Sequence, residues 1–227
     1  MASYDQNNEI KQVNKNIENL FEDLIVHVEK IDGAIKYSNL NNNLQAVKNI
    51  FPSNMKIIKG NLIKSEEQYI CHQCNCITIG AKYLAKSIFT KYPYADTYRL
   101  RKNPKRAKSI PGTIDVCGSD ELNNRYVINM YGQIGPGNPN VQFEDESFNN
   151  DNDTAEMRKK YFCQCLQLIL SIKQMESIAF PCYIGCGAAG GNWRNYFCIL
   201  KKFALLIPNV KIVIYDLDGL FFKQIHK

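Results

Sequence analysis

The stretch from residue 177 to residue 217 constrains the fold more than any other part of the chain. An apolar run of strand length, Ser177-Ile178-Ala179-Phe180-Pro181-Cys182, feeds directly into Tyr183-Ile184-Gly185-Cys186-Gly187-Ala188-Ala189-Gly190-Gly191. Residues 193 to 206 then carry a helical pattern, and residues 211 to 217 hold a second apolar run around Ile212, Val213 and Ile214. Strand, loop, helix and strand in that order describe a β-α-β unit, whose two strands lie parallel in one sheet with a right-handed crossover.

The same grammar reaches back to Met55, where short β-rich runs begin to alternate with helical patterns. Strands are expected over residues 55 to 62, 69 to 75, 113 to 117 and 125 to 131, the last two joined by a turn of Gly118, Ser119, Asp120, Asn123 and Asn124. Leu84, Ile88 and Tyr92 mark a helix that stops at Pro93, and Phe162, Leu166, Ile169 and Leu170 share a face of another over residues 156 to 173. Residues 132 to 153 are polar and rich in Gly, Pro, Asn and acids, a length of loop that is usually functional or mobile. Ahead of this pattern, Val13, Ile17, Leu20, Phe21, Leu24, Ile25 and Val28 recur at helical steps, and Leu44, Val47, Ile50 and Phe51 suggest a short helix ending before Pro52. The expected organisation is a helical N-terminal extension over residues 1–54, which packs on the main domain or pairs with a partner, and one α/β domain over residues 55–227.

A chain of 227 residues with 45% hydrophobic content can bury one substantial core. Its formal charge of +6 is scattered, apart from the run Arg99, Arg101, Lys102, Lys105, Arg106 and Lys108. That run reads as a solvated loop flanking a phosphate-bearing ligand rather than as a nucleic-acid patch, which would spread its charge over a whole face. Nine cysteines and a polar start, MASYDQNNEI, point to a reducing intracellular compartment, cytoplasmic or nuclear. No apolar run has the length to span a membrane, and no membrane partner is expected.

Two segments carry chemistry. In the glycine loop, backbone unshielded by side chains can approach an anion closely, and free N–H groups near a helix start favour phosphate. The formal G-x-G-x-x-G match lies far from the first β-α turn that a dinucleotide site would use, and no P-loop lysine follows. The second segment is Cys71-His72-Gln73-Cys74-Asn75-Cys76, closing an expected strand at the end where open α/β sheets gather ligands. No second ligand pair stands at zinc spacing, so no metal is expected, and small buried side chains beside the polar reader Asn75 are the working reading.

Taken together, these segments resemble macrodomains, and among them a viral or phage-like branch related to ADP-ribose 1''-phosphate processing, over roughly residues 55 to 218. The stretches that carry the resemblance are Gly60-Asn61-Leu62-Ile63, His72-Gln73-Cys74-Asn75-Cys76, Tyr92-Pro93-Tyr94-Ala95-Asp96, Pro111-Gly112-Thr113-Ile114, Asn129-Met130-Tyr131-Gly132-Gln133 and residues 184 to 193. The resemblance implies a three-layer α/β/α sandwich with a mixed central sheet. It implies that Asn61 stands where the family usually has an aspartate on the adenine amino group. It further implies that Asn75 holds distal-ribose hydroxyls, that Gln133 reaches the same sugar, and that Ile184, Gly185, Cys186, Gly187, Ala188, Ala189, Gly190 and Gly191 cradle the diphosphate.

The expected ligand is ADP-ribose or a derivative, free or carried on an ADP-ribosylated protein or nucleic acid, with no cofactor. Two activities are open at this point: hydrolysis at the distal ribose, with Asn75 and His72 as catalytic candidates, and a reader or sponge without turnover. The chain departs from the family pattern in having one glycine, Gly80, in the loop after Asn75, and it lacks the lysine and aspartate of the covalent deglycosylase branch. His72 qualifies as an acid or base only if its ring faces the pocket. Trp193 is expected to be a core aromatic that rigidifies the loop, and Tyr94, Asp96 and Tyr98 to close the first helix, while Asp216 and Asp218 either line the adenine end or are surface residues closing the last strand.

Overall fold

The computed structural model describes residues 52–102, 108–118, 125–140, 152–219 and 221. The helices expected before Pro52 lie outside the described residues, as do Lys105, Arg106, most of the turn after Gly118 and the middle of the long loop after Gly132.

Six strands build one sheet: β1 (Met55–Lys59), β2 (Tyr69–Asn75), β3 (Ile114–Cys117), β4 (Tyr126–Gln133), β5 (Ser177–Pro181) and β6 (Lys211–Asp216). They lie in the order β1-β6-β5-β2-β4-β3, all parallel except β3 against β4. The helices are α1 (Tyr83–Lys91), α2 (Thr97–Leu100), α3 (Ala155–Leu170) and α4 (Trp193–Leu206).

Alternation along the strands sends successive side chains to opposite faces, and each face finds its own cover. Ile70, Val127 and Ala179 pack with Ile88, Phe89, Tyr92 and Tyr98 of the α1–α2 side. On the other face Phe180 meets Phe203 of α4 at 6.0 Å, and Phe162 of α3 meets Tyr196 of α4 at 4.7 Å. Each such large apolar side chain, taken fully out of water, contributes about 1.5–3 kcal/mol. The fold is the three-layer α/β/α sandwich with a mixed central sheet.

Capping side chains set several boundaries that periodicity misplaces. The expected first strand stops at Lys59, because Asn61 accepts from Ile63 N at 2.9 Å and starts a 3-10 turn, Leu62–Lys64. Thr154 caps α3 through Met157 N at 3.2 Å, and Asp96 caps α2 through Arg99 N at 2.9 Å. β4 runs two residues past its expected end, since Gln133 still pairs with Asn75.

Connectivity then decides where a ligand can sit. From β2 the chain moves outward to β3 and β4 on one side, and α3 carries it back across the sheet to β5 and on to β6 on the other. The loops after β2 and β5 therefore diverge at the topological switch point, where open α/β sheets form their crevice.

Candidate functional site

Asn75 ends β2 and is nine-tenths buried. Its Oδ1 accepts from Ile77 N at 3.1 Å, Thr78 N at 2.8 Å and Thr78 Oγ1 at 2.9 Å, so the carboxamide closes its own turn. The Tyr98 hydroxyl accepts from both Asn75 N, at 2.9 Å, and Asn75 Nδ2, at 3.0 Å. One Asn75 amide hydrogen is left to offer a ligand among the described residues. Arg101 locks the turn from behind, donating to Asn75 O at 2.8 Å, Thr78 O at 2.9 Å and Ser109 Oγ at 2.7 Å while stacking over Tyr98 at 4.6 Å. Periodicity and charge alone mark neither partner: they place Tyr98 at a helix end and Arg101 in a solvated basic run. Both are half-buried or buried and spent on Asn75, which corrects the solvated reading for Arg101.

The glycine loop joins β5 to α4. Ile184, 3% exposed, anchors it in the core, while Gly187 and Ala188 lie at the surface. Tyr183, Gly185 and Gly190 hold positive φ of 60°, 71° and 69°. The turn closes through Cys186 N to Tyr183 O at 2.9 Å, Gly190 N to Gly187 O at 3.0 Å and Gly191 N to Gly185 O at 2.9 Å. The Tyr183 amide faces the Cys182 thiol, and the amides of Gly185, Gly187, Ala188 and Ala189 have no backbone acceptor among the described residues. A run of unspent N–H groups beside a helix start is an anion nest.

A buried ion pair fixes this loop to its neighbour. Arg158 of α3 and Asp153 are 2% and 1% exposed, with Nη2 and Oδ2 2.5 Å apart and Nε to Oδ1 at 2.9 Å. The guanidinium also donates to Gly137 O at 2.6 Å, Ala189 O at 2.9 Å and Gly135 O at 3.3 Å, so all five of its hydrogens are used. Asp153 in turn accepts from Ile134 N and Gly135 N, each at 2.9 Å. The segment after β4 and the glycine loop are thus tied to one guanidinium. Gln133, 8% exposed, is neither solvated nor open: its Oε1 accepts from Gln73 at 2.7 Å and its Nε2 donates to Gly135 O at 2.8 Å.

The remaining candidates line the strand ends in spatial order. Asn61 lies just past β1, where Gly60 N donates to Asp216 O at 3.0 Å, and Cys182 N donates to Tyr215 O at 2.8 Å. Asp216 is buried, not a surface residue, and accepts from Phe221 N at 3.0 Å. Trp193 packs between Tyr183, at 5.1 Å, and Phe197, at 5.3 Å, bracing the glycine loop. A shallow hollow of about 370 Å³ lined by Asn54, Met55, Pro208 and Lys211 lies at the opposite end of the sheet, away from all of these.

His72 is placed elsewhere than its candidate role requires. Its ring is 1% exposed, edge-on to Phe89 at 5.4 Å, and 2.6 Å from Asn129 Oδ1. Because Asn129 Nδ2 is committed to Ala95 O at 2.9 Å, Oδ1 faces the ring and His72 Nε2–H is the donor. Burial lowers its pKa from the usual 6.5 to about 4, against a smaller opposing contribution from the bond to Asn129. A buried neutral imidazole is not the general acid or base of a solvent-facing crevice. Burial likewise pushes the Cys186 thiol up to about 12, which removes it as a thiolate nucleophile.

The depressed His72 value makes a prediction about stability. The unfolded chain takes up this proton near 6.5 and the folded one only near 4, so stability is whole above the first value and falls as pH drops towards the second. The loss is on the order of 3 kcal/mol. Urea unfolding across this interval should show that slope, and His72→Gln should flatten it. An unchanged slope in the variant would assign the acid sensitivity to other groups.

No protein-family model matches the sequence, and no curated protein matches it. Among solved structures, the macrodomain of Mycobacterium tuberculosis DarG superposes with a TM-score of 0.53 at 19% identity, covering 71% of this chain and 96% of its own. A Bacteroides thetaiotaomicron protein known by its X-ray crystal structure superposes with a TM-score of 0.53 at 27% identity, covering 72% of this chain and 99% of its own. A second structure from that organism, of a protein of unknown function, gives 0.50 at 25% identity over 72% of this chain and 98% of its own. The chain has the macrodomain fold.

Proposed function

We propose that this chain is an ADP-ribose-binding macrodomain. The observation that carries the reading is the set of four uncommitted amides between Gly185 and Ala189, set at the switch point of the sheet. Their surroundings support it. Asn61, the glycine loop and Asn75 follow the ends of β1, β5 and β2, so an elongated ligand across the strand ends meets them in that order. With strands about 4.8 Å apart, three strand spacings separate the Asn61 and Asn75 ends. That is the order the motif resemblance implies for adenine, diphosphate and distal ribose, and the fold shared with the DarG macrodomain is in keeping with it.

The finer reading is hydrolysis at the distal ribose of ADP-ribose 1''-phosphate or of ADP-ribosyl conjugates. With His72 buried and Cys186 protonated, neither supplies a base at the distal ribose. The base then falls to the ligand's own diphosphate, with water held beside Asn75 and loop amides stabilising the developing charge. The same scarcity of bases favours a reader without turnover as the second reading.

Calorimetry with ADP-ribose, ADP and ribose 5-phosphate, followed by product analysis on a panel of phosphate, ester and glycosidic conjugates, separates these. Stoichiometric binding of ADP-ribose, tighter than of either fragment, is expected. Absence of binding refutes the functional reading, and recovery of every conjugate intact refutes hydrolysis alone.

A further inference from the structure

Gln73 stands on the central strand β2, with its side chain on the α3–α4 face between Gly132 of β4 and Gly185 of the glycine loop. A Cβ on Gly132 would stand 2.7 Å from Gln73 Oε1, and a Cβ on Gly185 would stand 2.7 Å from the same oxygen. A side chain at either glycine would press on this carboxamide, and at Gly185 also on Tyr196 Cε1, 2.5 Å from the would-be Cβ.

The direction of the carboxamide follows from its partners. The Gly135 carbonyl can only accept, so the Gln133 group that faces it at 2.8 Å is Nε2. Gln133 Oε1 is then left to accept from Gln73 Nε2 at 2.7 Å, which turns Gln73 Oε1 towards Gly185. That oxygen is buried without a hydrogen-bond partner. An unsatisfied buried acceptor works against folding, and leucine or methionine would fill the space without one. Features kept at the expense of stability belong to sites.

We infer that Gln73 is a positioning residue of the anion loop: through the relay Gly135, Gln133, Gln73, an uncharged carboxamide sets the seat of Gly185 and the loop above it, and its neutrality admits an anion there. This inference rests on the reading of the glycine loop as a diphosphate site. A carboxylate in the same place would keep the shape and put a like charge beneath the ligand. Protonated, it would reproduce the native arrangement, its O–H donating to Gln133 Oε1 as Nε2–H does.

The test compares full-length wild type, Gln73→Glu and Gln73→Met, titrated with ADP-ribose over a pH series, with backbone amide NMR spectra of each ligand-free form. Gln73→Glu is expected to bind like wild type while its carboxyl is protonated and to lose about tenfold or more in affinity as the carboxyl ionises. Wild type and Gln73→Met should show no such step. In the ligand-free spectra the amides from Gly185 to Ala189 should move with the same midpoint in Gln73→Glu alone. Wild-type affinity for the Glu variant at every pH, with loop amides unmoved, overturns the inference. If no form binds ADP-ribose, the diphosphate reading fails, and the ligand-free amides still decide: a titration step in the loop supports the positioning role, and its absence overturns it. Should Gln73→Glu not fold, Gln133→Met cuts the relay at its other end and is expected to displace the same loop amides, which unshifted resonances would contradict.

Discussion

Replacing Arg158 by alanine is expected to lower the free energy of unfolding by about 3–5 kcal/mol, the range for breaking a buried ion pair from one side. The change strands Asp153, 1% exposed on its side chain, and also empties the donors to Gly135, Gly137 and Ala189 carbonyls. Asp153→Ala should cost at least as much, because it leaves a buried guanidinium without a counter-charge and unpairs the Ile134 and Gly135 amides. The double variant should cost clearly less than the sum, since both changes remove one shared network. Urea denaturation measures all three, and hydrogen exchange should show the hydrogen-bonded loop amides of Cys186, Gly190 and Gly191 opening more readily in each variant. A loss below about 1 kcal/mol, or unaltered exchange in the loop, would mean the pair neither stabilises the domain nor holds the two segments together.

That pair marks where sequence reading stops. The strands over Tyr69–Asn75 and Ser177–Pro181 and the helix Trp193–Leu206 were legible because each depends on local periodicity and nearby punctuation. The glycine loop was legible for the same reason: its composition is its mechanism. Arg158 was not. Within a helix it looks like any charge on a solvated face, and only tertiary packing turns it towards carbonyls 21 and 31 residues away. Arg101 was concealed more thoroughly, since its basic neighbours suggested solvent while it faces Asn75 and Thr78 across 26 and 23 residues. Asn75 itself was legible as the polar residue of its strand end, but not the direction of its carboxamide. That direction depends on Tyr98, which sequence places beyond a helix and a proline. Periodicity reports which side of an element is apolar and says nothing about which long-range carbonyl or hydroxyl a polar side chain will meet.

Alanine at Gly185 or Gly191 should abolish tight binding of ADP-ribose, and alanine at Gly187 should not disturb the fold. A Cβ on Gly191 would stand 2.4 Å from the Gly185 carbonyl oxygen, a backbone atom already engaged with Gly191 N and unable to retreat. A Cβ on Gly185 would stand 2.5 Å from Tyr196 Cε1, and the residue holds φ at 71°. The left-handed conformation costs a side-chain-bearing residue about 1–2 kcal/mol, and the overpacking adds about 1–3 kcal/mol. Relief must come from moving the loop, which takes its amides out of hydrogen-bonding distance and alignment with the anion. Gly187 has no atom within 4 Å of its would-be Cβ, so Gly187→Ala should unfold like wild type. If its methyl group enters the ligand's space, affinity falls with stability intact, which locates the ligand on that side of the loop. Calorimetric affinities and urea midpoints for the three variants separate strain from obstruction. Wild-type affinity in both Gly185→Ala and Gly191→Ala would show that the anion, and with it the nucleotide, is held somewhere other than on these amides.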